Sequence, residues 1–240
     1  MLQSTLQMAA ETARMPENAP LAALALLGTA GAVVGALVAA AVCAAVGRRT
    51  LATWIAAGAG ALLIAYAGTL GGFAVASSER VLAPGGRKYF CELDCHTAVS
   101  VERVDTARVL GPPPEAQRAA GRFLLARVRT WFDPSTIAPW RGDALLTPNP
   151  RTAWIVDASG RRYPLSREAT RAAARAGFPS DGLDRPLRPG QSSTTTLVFD
   201  LPDGAAHPRL FVGDPPGVEL VVIGHENTPL HRKILFDLGL

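Results

Sequence analysis

Residues 21–46 read LAALALLGTAGAVVGALVAAAVCAAV, a run whose only ionisable side chain is that of Cys43. A second run, residues 51–78, also contains no Asp, Glu, Lys or Arg. A helix rises about 1.5 Å per residue, so either run is longer than the roughly 30 Å of bilayer hydrocarbon. The four residues between them, 47–50, include two arginines, which cannot lie in lipid. The sequence therefore predicts two transmembrane helices, 21–46 and 51–78, joined by a short polar turn.

The composition divides the chain in two. Of the 240 residues, 48% are hydrophobic and 18% charged, where soluble globular chains carry roughly 25% charged residues. Residues 1–80 hold only four of the 24 basic and three of the 20 acidic side chains. This distribution excludes a wholly soluble or a disordered protein, and three cysteines exclude a disulfide-dense mini-protein. Residues 81–240 have a net charge of only +3 (20 minus 17), which argues against a nucleic-acid partner.

The first 20 residues are expected to form a disordered tail. They contain one basic residue, Arg14, and the apolar run that follows is too long for the core of a cleaved signal peptide. The start of the chain is open between Met1 and Met15 at this stage.

Both predicted spans contain pairs of glycines four residues apart, Gly31 with Gly35 and Gly68 with Gly72. Such spacings let helices in a bilayer approach closely. The short turn favours pairing of the two spans within one chain, and a homo-oligomeric interface is the alternative. The lipid bilayer itself is the first expected partner.

The basic residues give two opposing indications of how the chain is oriented in the membrane. Two spans place both ends of the chain on one side and the turn, with Arg48 and Arg49, on the other. The flanks carry four basic residues (Arg14, Arg80, Arg87 and Lys88), and their number favours chain ends in the cytoplasm. The two arginines within the four-residue turn favour a cytoplasmic turn instead. We expect a two-pass protein of the cytoplasmic (inner) membrane with its C-terminal domain on the outer side.

In residues 88–240, apolar and polar side chains alternate mainly with a period of two, and the segment has the size of one domain. Alternation at 97–101, 124–128 and 194–201 predicts strands with one covered face, and 154–163 read as a hairpin around Asp157–Gly160. Further strands are expected at 210–212, 218–223 and 233–238. A short helix is predicted from the cap Ser166 to Ala176, before Gly177. Seven or eight such strands predict an antiparallel β-sandwich with one inserted helix.

Two motifs in this region carry a family resemblance. Residues 187–192 (LRPGQS) are followed by residues 197–202 (LVFDLP). This pattern resembles the telokin-like, immunoglobulin-like domains of membrane-anchored bacterial proteins, over about residues 95–240. The resemblance implies an extracytoplasmic immunoglobulin-like sandwich without a shared catalytic centre, and the helix at 166–176 has no counterpart in it.

Two cysteines, a histidine and two acidic residues lie close together at residues 89–96, YFCELDCH. Cys91 and Cys95 could form a disulfide, but a continuous strand would separate their Cα atoms by roughly 13 Å, so the segment would have to bend. Alternatively, both thiolates and His96 could bind copper or zinc, with His225 or His231 as a further ligand. In a third interpretation the thiols are reduced and inert. The disulfide is favoured.

The remaining polar features are weaker. Arg167, Arg171 and Arg175 are four apart, so on a helix they form one basic stripe that could face anionic lipid or an acidic partner. No nucleophile-elbow, phosphate-loop, dinucleotide or zinc-protease motif is present. The sequence therefore favours a protein with no catalytic residues and no cofactor, which displays its domain for recognition of, or assembly with, another envelope protein. A thiol-redox or copper/zinc-binding protein is the alternative.

Overall fold

The computed structural model describes residues 11–91, 95–137 and 139–240. It has three α-helices: α1 (Ala19–Ala45), α2 (Arg49–Ala76) and α3 (Arg167–Arg175). The strands are β1 (Thr12–Met15), β2 (Arg80–Leu82), β3 (Arg87–Phe90), β4 (Thr97–Leu110), β5 (Gln117–Phe132), β6 (Thr152–Val156), β7 (Arg162–Pro164), β8 (Ser192–Leu201), β9 (Arg209–Gly213) and β10 (Ile234–Asp237). The first half of the expected tail, with Met1, and residues 92–94 lie outside the described residues.

The helical hairpin matches its expected bounds within two residues, and both helices are long and apolar enough to cross a membrane. The expectation of a disordered tail is wrong for residues 12–15. These residues form β1, which pairs in parallel with β3, and Met15 is buried in the sandwich core. The chain thus enters the sandwich before it enters α1.

The strands form two five-stranded sheets, which we call sheet A (β1-β3-β4-β5-β8) and sheet B (β2-β10-β9-β6-β7). Both are mixed, because β1 pairs in parallel with β3 and β2 in parallel with β10. The purely antiparallel arrangement expected from the sequence is therefore wrong. The physical reason is the helical hairpin: parallel neighbours need a long connection, and residues 16–86 supply it between β1 and β3.

The alternating faces are those the sequence predicts. Leu124 and Ala126 of β5 and Leu197 and Phe199 of β8 point into the core between the sheets. There they meet Ile155, Leu210, Val212, Ile234 and Phe236 of sheet B. The hairpin at 154–163 is also confirmed, with Val156 paired to Arg162.

The short helix is confirmed, and it covers the far side of sheet A. The Ser166 hydroxyl accepts a hydrogen bond from Ala169 N, and Gly177 ends the helix with φ of +86°. Its alanines pack on outward-facing residues of sheet A, namely Leu110, Phe123, Leu125 and Val198. The part of this outer face around these four residues is thereby removed from solvent.

The strand expected at 218–223 is wrong. Residues Val218–Val221 form a 3-10 helix, closed by hydrogen bonds from Leu220 N to Gly217 O and from Val222 N to Glu219 O. Pro215 and Pro216 precede it and have no N–H to offer a sheet partner. The apolar run is therefore not a half-buried strand but a turn of 3-10 helix.

Candidate functional site

The two long helices pack through small side chains. Along α1 the covered positions include Ala22, Thr29, Val33, Ala36 and Ala40, which follow the seven-residue spacing of a left-handed helix pair. On α2, Ala52 and Ala59 are buried. The bulky side chains point the other way, and Val34, Ile64 and Phe73 are each more than half exposed.

The glycine pairs do not lie in this contact. A Cβ atom added to Gly31, Gly35, Gly68 or Gly72 would meet no other atom within 4 Å. The expectation that these spacings serve the pairing of α1 with α2 is therefore wrong, since alanines fill that role. The homo-oligomeric alternative stays a prediction.

The helices and the sandwich meet at a junction built by two loops. The Tyr66 hydroxyl of α2 donates to the Val221 carbonyl at 2.6 Å, and Arg232 N donates to Ser77 Oγ at 2.8 Å. β2 continues directly from α2, and Arg80 N donates to the Lys233 carbonyl at 3.2 Å. The segment 218–234 therefore lies against the C-terminal half of α2.

A cavity of about 520 Å³ opens at this junction. Leu21 and Ala25 of α1 and Phe73 of α2 line its apolar part, and His231 and Arg232 line its polar part. Its helix side is therefore mainly apolar, and its loop side combines His231 and Arg232 with Ile223 and Ile234. We refer to it as the junction cavity.

A buried ion pair ties sheet A to sheet B beside this junction. Lys88 of β3 and Glu226 are both fully buried, with Nζ 2.5 Å from Oε1. Lys88 also donates to the Val212 carbonyl at 2.7 Å, and Glu226 Oε2 accepts from Ile234 N at 3.2 Å. Burial lowers the pKa of Lys88 from its ordinary value, and the Glu226 carboxylate opposes that shift.

A second set of polar side chains lies next to the pair. Arg151 forms an ion pair with Asp214, and the His225 ring lies 3.3 Å from Asp214 Oδ2 through its Nε2. His225 Nδ1 accepts a hydrogen bond from Asn227 N, so the Nε2–H tautomer satisfies both ring nitrogens without a second proton. Burial lowers the pKa of His225 to about 4. The ring is neutral at physiological pH and acts as a structural hydrogen-bonding group.

The cysteines agree with the first of the three sequence hypotheses. The structure joins Cys91 and Cys95 in a disulfide with their Cα atoms 4.2 Å apart, far less than the roughly 13 Å of a continuous strand. Cys91 packs with Tyr89, Ala98 and Ala19, the first residue of α1. The disulfide therefore lies where the sandwich meets α1.

The histidines that the metal hypothesis invokes have different hydrogen-bond partners in the structure. His96 Nδ1 lies 3.2 Å from the Thr136 hydroxyl and its ring packs on Phe132, whereas His231 Nδ1 lies 2.6 Å from the Arg232 carbonyl at the junction cavity. Within residues 11–91, 95–137 and 139–240, no three side chains of His, Cys, Asp or Glu are grouped so that they could hold a metal ion. The structure thus does not bring Cys91, Cys95, His96 and His231 together as one ligand set.

The basic stripe has the geometry that the sequence predicts. Arg167, Arg171 and Arg175 are exposed on the solvent side of α3, and Arg175 Nε lies 3.5 Å from Glu115. The charge at one end of the stripe is thus met within the chain. A lipid or acidic partner for the other two stays a prediction.

Part of the outer face of sheet A is not covered by α3. Arg87, Ser100, Arg129 and Trp131 surround a groove of about 630 Å³ there, and the Arg87 guanidinium stacks 4.5 Å from the Trp131 ring. We call this the sheet A groove. Glu102 also lines the groove and pairs with Arg129 at 3.8 Å, so Arg87 is the exposed arginine of the groove. An aromatic ring beside an exposed arginine is a composition that protein interfaces favour.

The long edge of sheet A is closed to further strands. Along β8, Ser166 N donates to the Val198 carbonyl and Thr196 N donates to the Pro179 carbonyl. The segment 165–180 therefore occupies backbone groups that an incoming strand would need. Recognition by strand addition is disfavoured at this edge.

Sequence reasoning missed the ion pair and the junction. Lys88 and Glu226 are 138 positions apart, and Tyr66 and Val221 are 155 apart. One signal was available, since Lys88 and Phe90 alternate on the same face of a strand, which places the ammonium toward the core. Nothing in the loop around Glu226 indicates its burial.

No family model matches the chain, and no curated protein matches it. Two solved structures resemble it. A conserved hypothetical protein from Bacillus anthracis is 14% identical with a TM-score of 0.38, and the match covers 49% of this chain and 82% of that one. A secreted protein from Mycobacterium tuberculosis is 10% identical with a TM-score of 0.38, and the match covers 67% of this chain and 97% of that one. At such scores neither neighbour assigns a function, and neither is described as telokin-like or immunoglobulin-like.

Proposed function

We propose that this chain is a two-span protein of the cytoplasmic membrane that holds an immunoglobulin-like β-sandwich on the outer side for recognition of another envelope protein. The observation that carries the proposal is the exposure of the bulky apolar side chains of α1 and α2. Leu24, Leu27, Ile64 and Phe73 are 58–74% exposed. Soluble monomers rarely expose a contiguous apolar patch above a few hundred Å², whereas a bilayer covers such a surface.

Orientation is supported by the position of the cysteines. The Cys91–Cys95 disulfide lies at the sandwich end of α1, and the free Cys43 lies near the other end, beside Arg48 and Arg49. Disulfides persist in oxidising compartments, and basic residues are enriched in cytoplasmic loops. Both features favour a cytoplasmic turn and an extracytoplasmic sandwich.

The recognition surface we assign is the sheet A groove. The edge at β8 is capped, and α3 covers the outer face around Leu110, Phe123, Leu125 and Val198. The groove combines Trp131, half-buried, with the exposed Arg87. Such a surface suits a protein partner with acidic and apolar side chains.

Orientation is tested by single-cysteine labelling in a Cys43→Ser background. Ala158→Cys lies in the exposed β6–β7 turn, and Thr50→Cys lies at the exposed start of α2. A membrane-impermeant maleimide should label residue 158 in intact spheroplasts and residue 50 only after lysis. The reverse pattern would overturn the orientation.

Recognition is tested by photo-crosslinking in the membrane of living cells. A photoreactive amino acid at Ser100, in the sheet A groove, is compared with the same amino acid at Ala158. We expect one defined cross-linked species from residue 100 that residue 158 does not give. Identical products from both positions, or none from residue 100, would contradict the assignment.

A further inference from the structure

The segment after β9 exposes apolar side chains close to the helices. Val218, Leu220 and Val221 are 62%, 40% and 44% exposed on a single turn of 3-10 helix. Leu230, farther along the same loop, is 76% exposed. A cluster of this kind is not needed for the sandwich core, whose side chains lie elsewhere.

The segment lies beside α2 well before that helix ends. Its contact is the hydrogen bond from the Tyr66 hydroxyl to the Val221 carbonyl, 2.6 Å long. Tyr66 is ten residues before Ala76, the last residue of α2, which corresponds to about 15 Å along the axis. The 3-10 turn therefore extends back along a helix whose surface is apolar.

The depth of this contact follows from the length of α2. Arg48 and Arg49 hold the opposite end of the hairpin at the polar boundary. About 20 residues fill the hydrocarbon layer, so α2 leaves it near Leu70. Tyr66 then lies about four residues, or about 6 Å, inside that limit. This is the depth that amphipathic interfacial elements reach, and tyrosine is enriched at that level.

The turn contains one charged residue, Glu219, between Val218 and Leu220. Its carboxylate reaches back to Gly217, the residue before the turn, and the residue is only partly exposed. Arg232 is held at Ser77, beyond the end of α2, by the hydrogen bond to Ser77 Oγ. The turn thus exposes Val218, Leu220 and Val221 near Tyr66, with the Glu219 carboxylate turned toward Gly217, and the loop carries the cationic residue Arg232 where the helix has left the hydrocarbon.

We infer that residues 218–221 insert into the outer leaflet at the boundary between headgroups and acyl chains, as a third membrane contact besides α1 and α2. The occupant of the exposed apolar face is lipid, because that face continues the apolar surface of α2 through the Tyr66–Val221 contact. The inference rests on the proposed membrane insertion of the helices. Inserted, the turn holds the sandwich at a fixed tilt to the membrane.

The test measures the depth of spin labels on the full-length protein. Single cysteines replace Val218, Leu220, Ala158 or Val34 in a Cys43→Ser background, with the Cys91–Cys95 disulfide intact, and each variant is labelled with a nitroxide. The labelled proteins are placed in nanodiscs of phosphatidylethanolamine and phosphatidylglycerol. Power saturation with oxygen and with Ni-EDDA then reports whether each label lies in lipid or in water.

We expect oxygen to relax the labels at residues 218 and 220 about threefold more strongly than Ni-EDDA does, as at the acyl boundary. The label at Ala158 should lie in water, because the β6–β7 turn is next to Arg209, the first residue of β9, whereas residues 218–221 follow Gly213 at the other end of that strand. The label at Val34 should be the most exposed to lipid. Aqueous labels at 218 and 220 with a lipidic label at 34 would overturn this inference alone. An aqueous label at 34 would overturn the proposed function as well.

Discussion

Removing one partner of the Lys88–Glu226 pair should destabilise the sandwich severely. In Lys88→Met, the Glu226 carboxylate loses its counter-ion at a position without solvent exposure, and the Val212 carbonyl loses a donor at 2.7 Å. Breaking a buried pair on one side costs about 3–5 kcal/mol, and one orphaned buried acceptor accounts for about 1–3 kcal/mol of that. We expect the free energy of unfolding to fall by about 4 kcal/mol.

The assay is urea denaturation of the full chain in non-ionic detergent, followed by tryptophan fluorescence. Trp154 is a suitable reporter because it stacks on Phe211 at 4.5 Å, and Lys88 Nζ lies over that same Phe211 ring. The matched control is Arg108→Met, which breaks an exposed ion pair with Asp203 and should change stability by less than about 1 kcal/mol.

The double variant Lys88→Met, Glu226→Gln separates charge from packing. It leaves no charge at positions 88 and 226, and the glutamine oxygen can still accept from Ile234 N. We expect it to recover about 2 kcal/mol relative to Lys88→Met alone. The reasoning is refuted if Lys88→Met costs less than about 1 kcal/mol, or if the double variant is no more stable than the single one.

Four further predictions concern two pH dependences, the disulfide and the cap of α3. Because burial lowers the pKa of His225 from 6.5 to about 4, stability should be complete above pH 6.5 and fall between pH 6.5 and 4; His225→Asn should flatten that part of a urea-midpoint profile, and an unchanged slope would contradict it. Hydrogen bonds from Ser159 and Tyr163 lower the pKa of Asp157 from 3.8 to about 2, so its contribution should be lost only as pH falls from 3.8 to about 2, and Asp157→Asn should abolish this step in acid titrations followed by circular dichroism. Replacing both Cys91 and Cys95 by serine should cost about 2 kcal/mol for a five-residue loop and leave copper and zinc content unchanged by elemental analysis; a loss of bound metal would favour the metal-binding alternative instead. Ser166→Ala should cost about 1 kcal/mol through the lost cap of α3 in the same urea assay, with the exposed Ser192→Ala of β8 as a comparison outside any helix.

The helices and the long strands could be predicted because their signals are local. An uncharged run of 26 residues needs no tertiary information, and neither does the alternation that places Leu124 and Ala126 of β5 on one face. The cap at Ser166 and the glycine at 177 likewise fixed both ends of α3. These features follow from backbone geometry and side-chain size alone.

The short strands β1, β2 and β3 could not be predicted, because their pairing depends on how the helical hairpin interrupts the sandwich. β1 has four residues, too few for a period, and its partner Arg87 is 75 positions from Thr12. β2 leaves the helices, and the chain then reverses into β3, so β3 runs parallel to β1. The same difficulty applies to Val218–Val221, whose apolar residues read as a strand although they lie beside α2.

The candidate site was predicted only in part. The Cys91–Cys95 pairing was the favoured hypothesis from residue types, and the structure agrees with it. The buried partnership of Lys88 with Glu226 required knowledge of which loop closes the end of the sandwich. A charge pair between distant segments leaves no trace in local periodicity.

The measurement that tests the central claim most directly is flotation of the native chain after alkaline carbonate treatment of isolated membranes. Carbonate removes peripheral proteins, and flotation through a sucrose gradient separates lipid-bound protein from aggregates. If α1 and α2 span the bilayer, the chain rises with the lipid fraction after treatment. Recovery in the soluble fraction, or sedimentation without lipid, would contradict the membrane anchor on which the proposed function and the third membrane contact both depend.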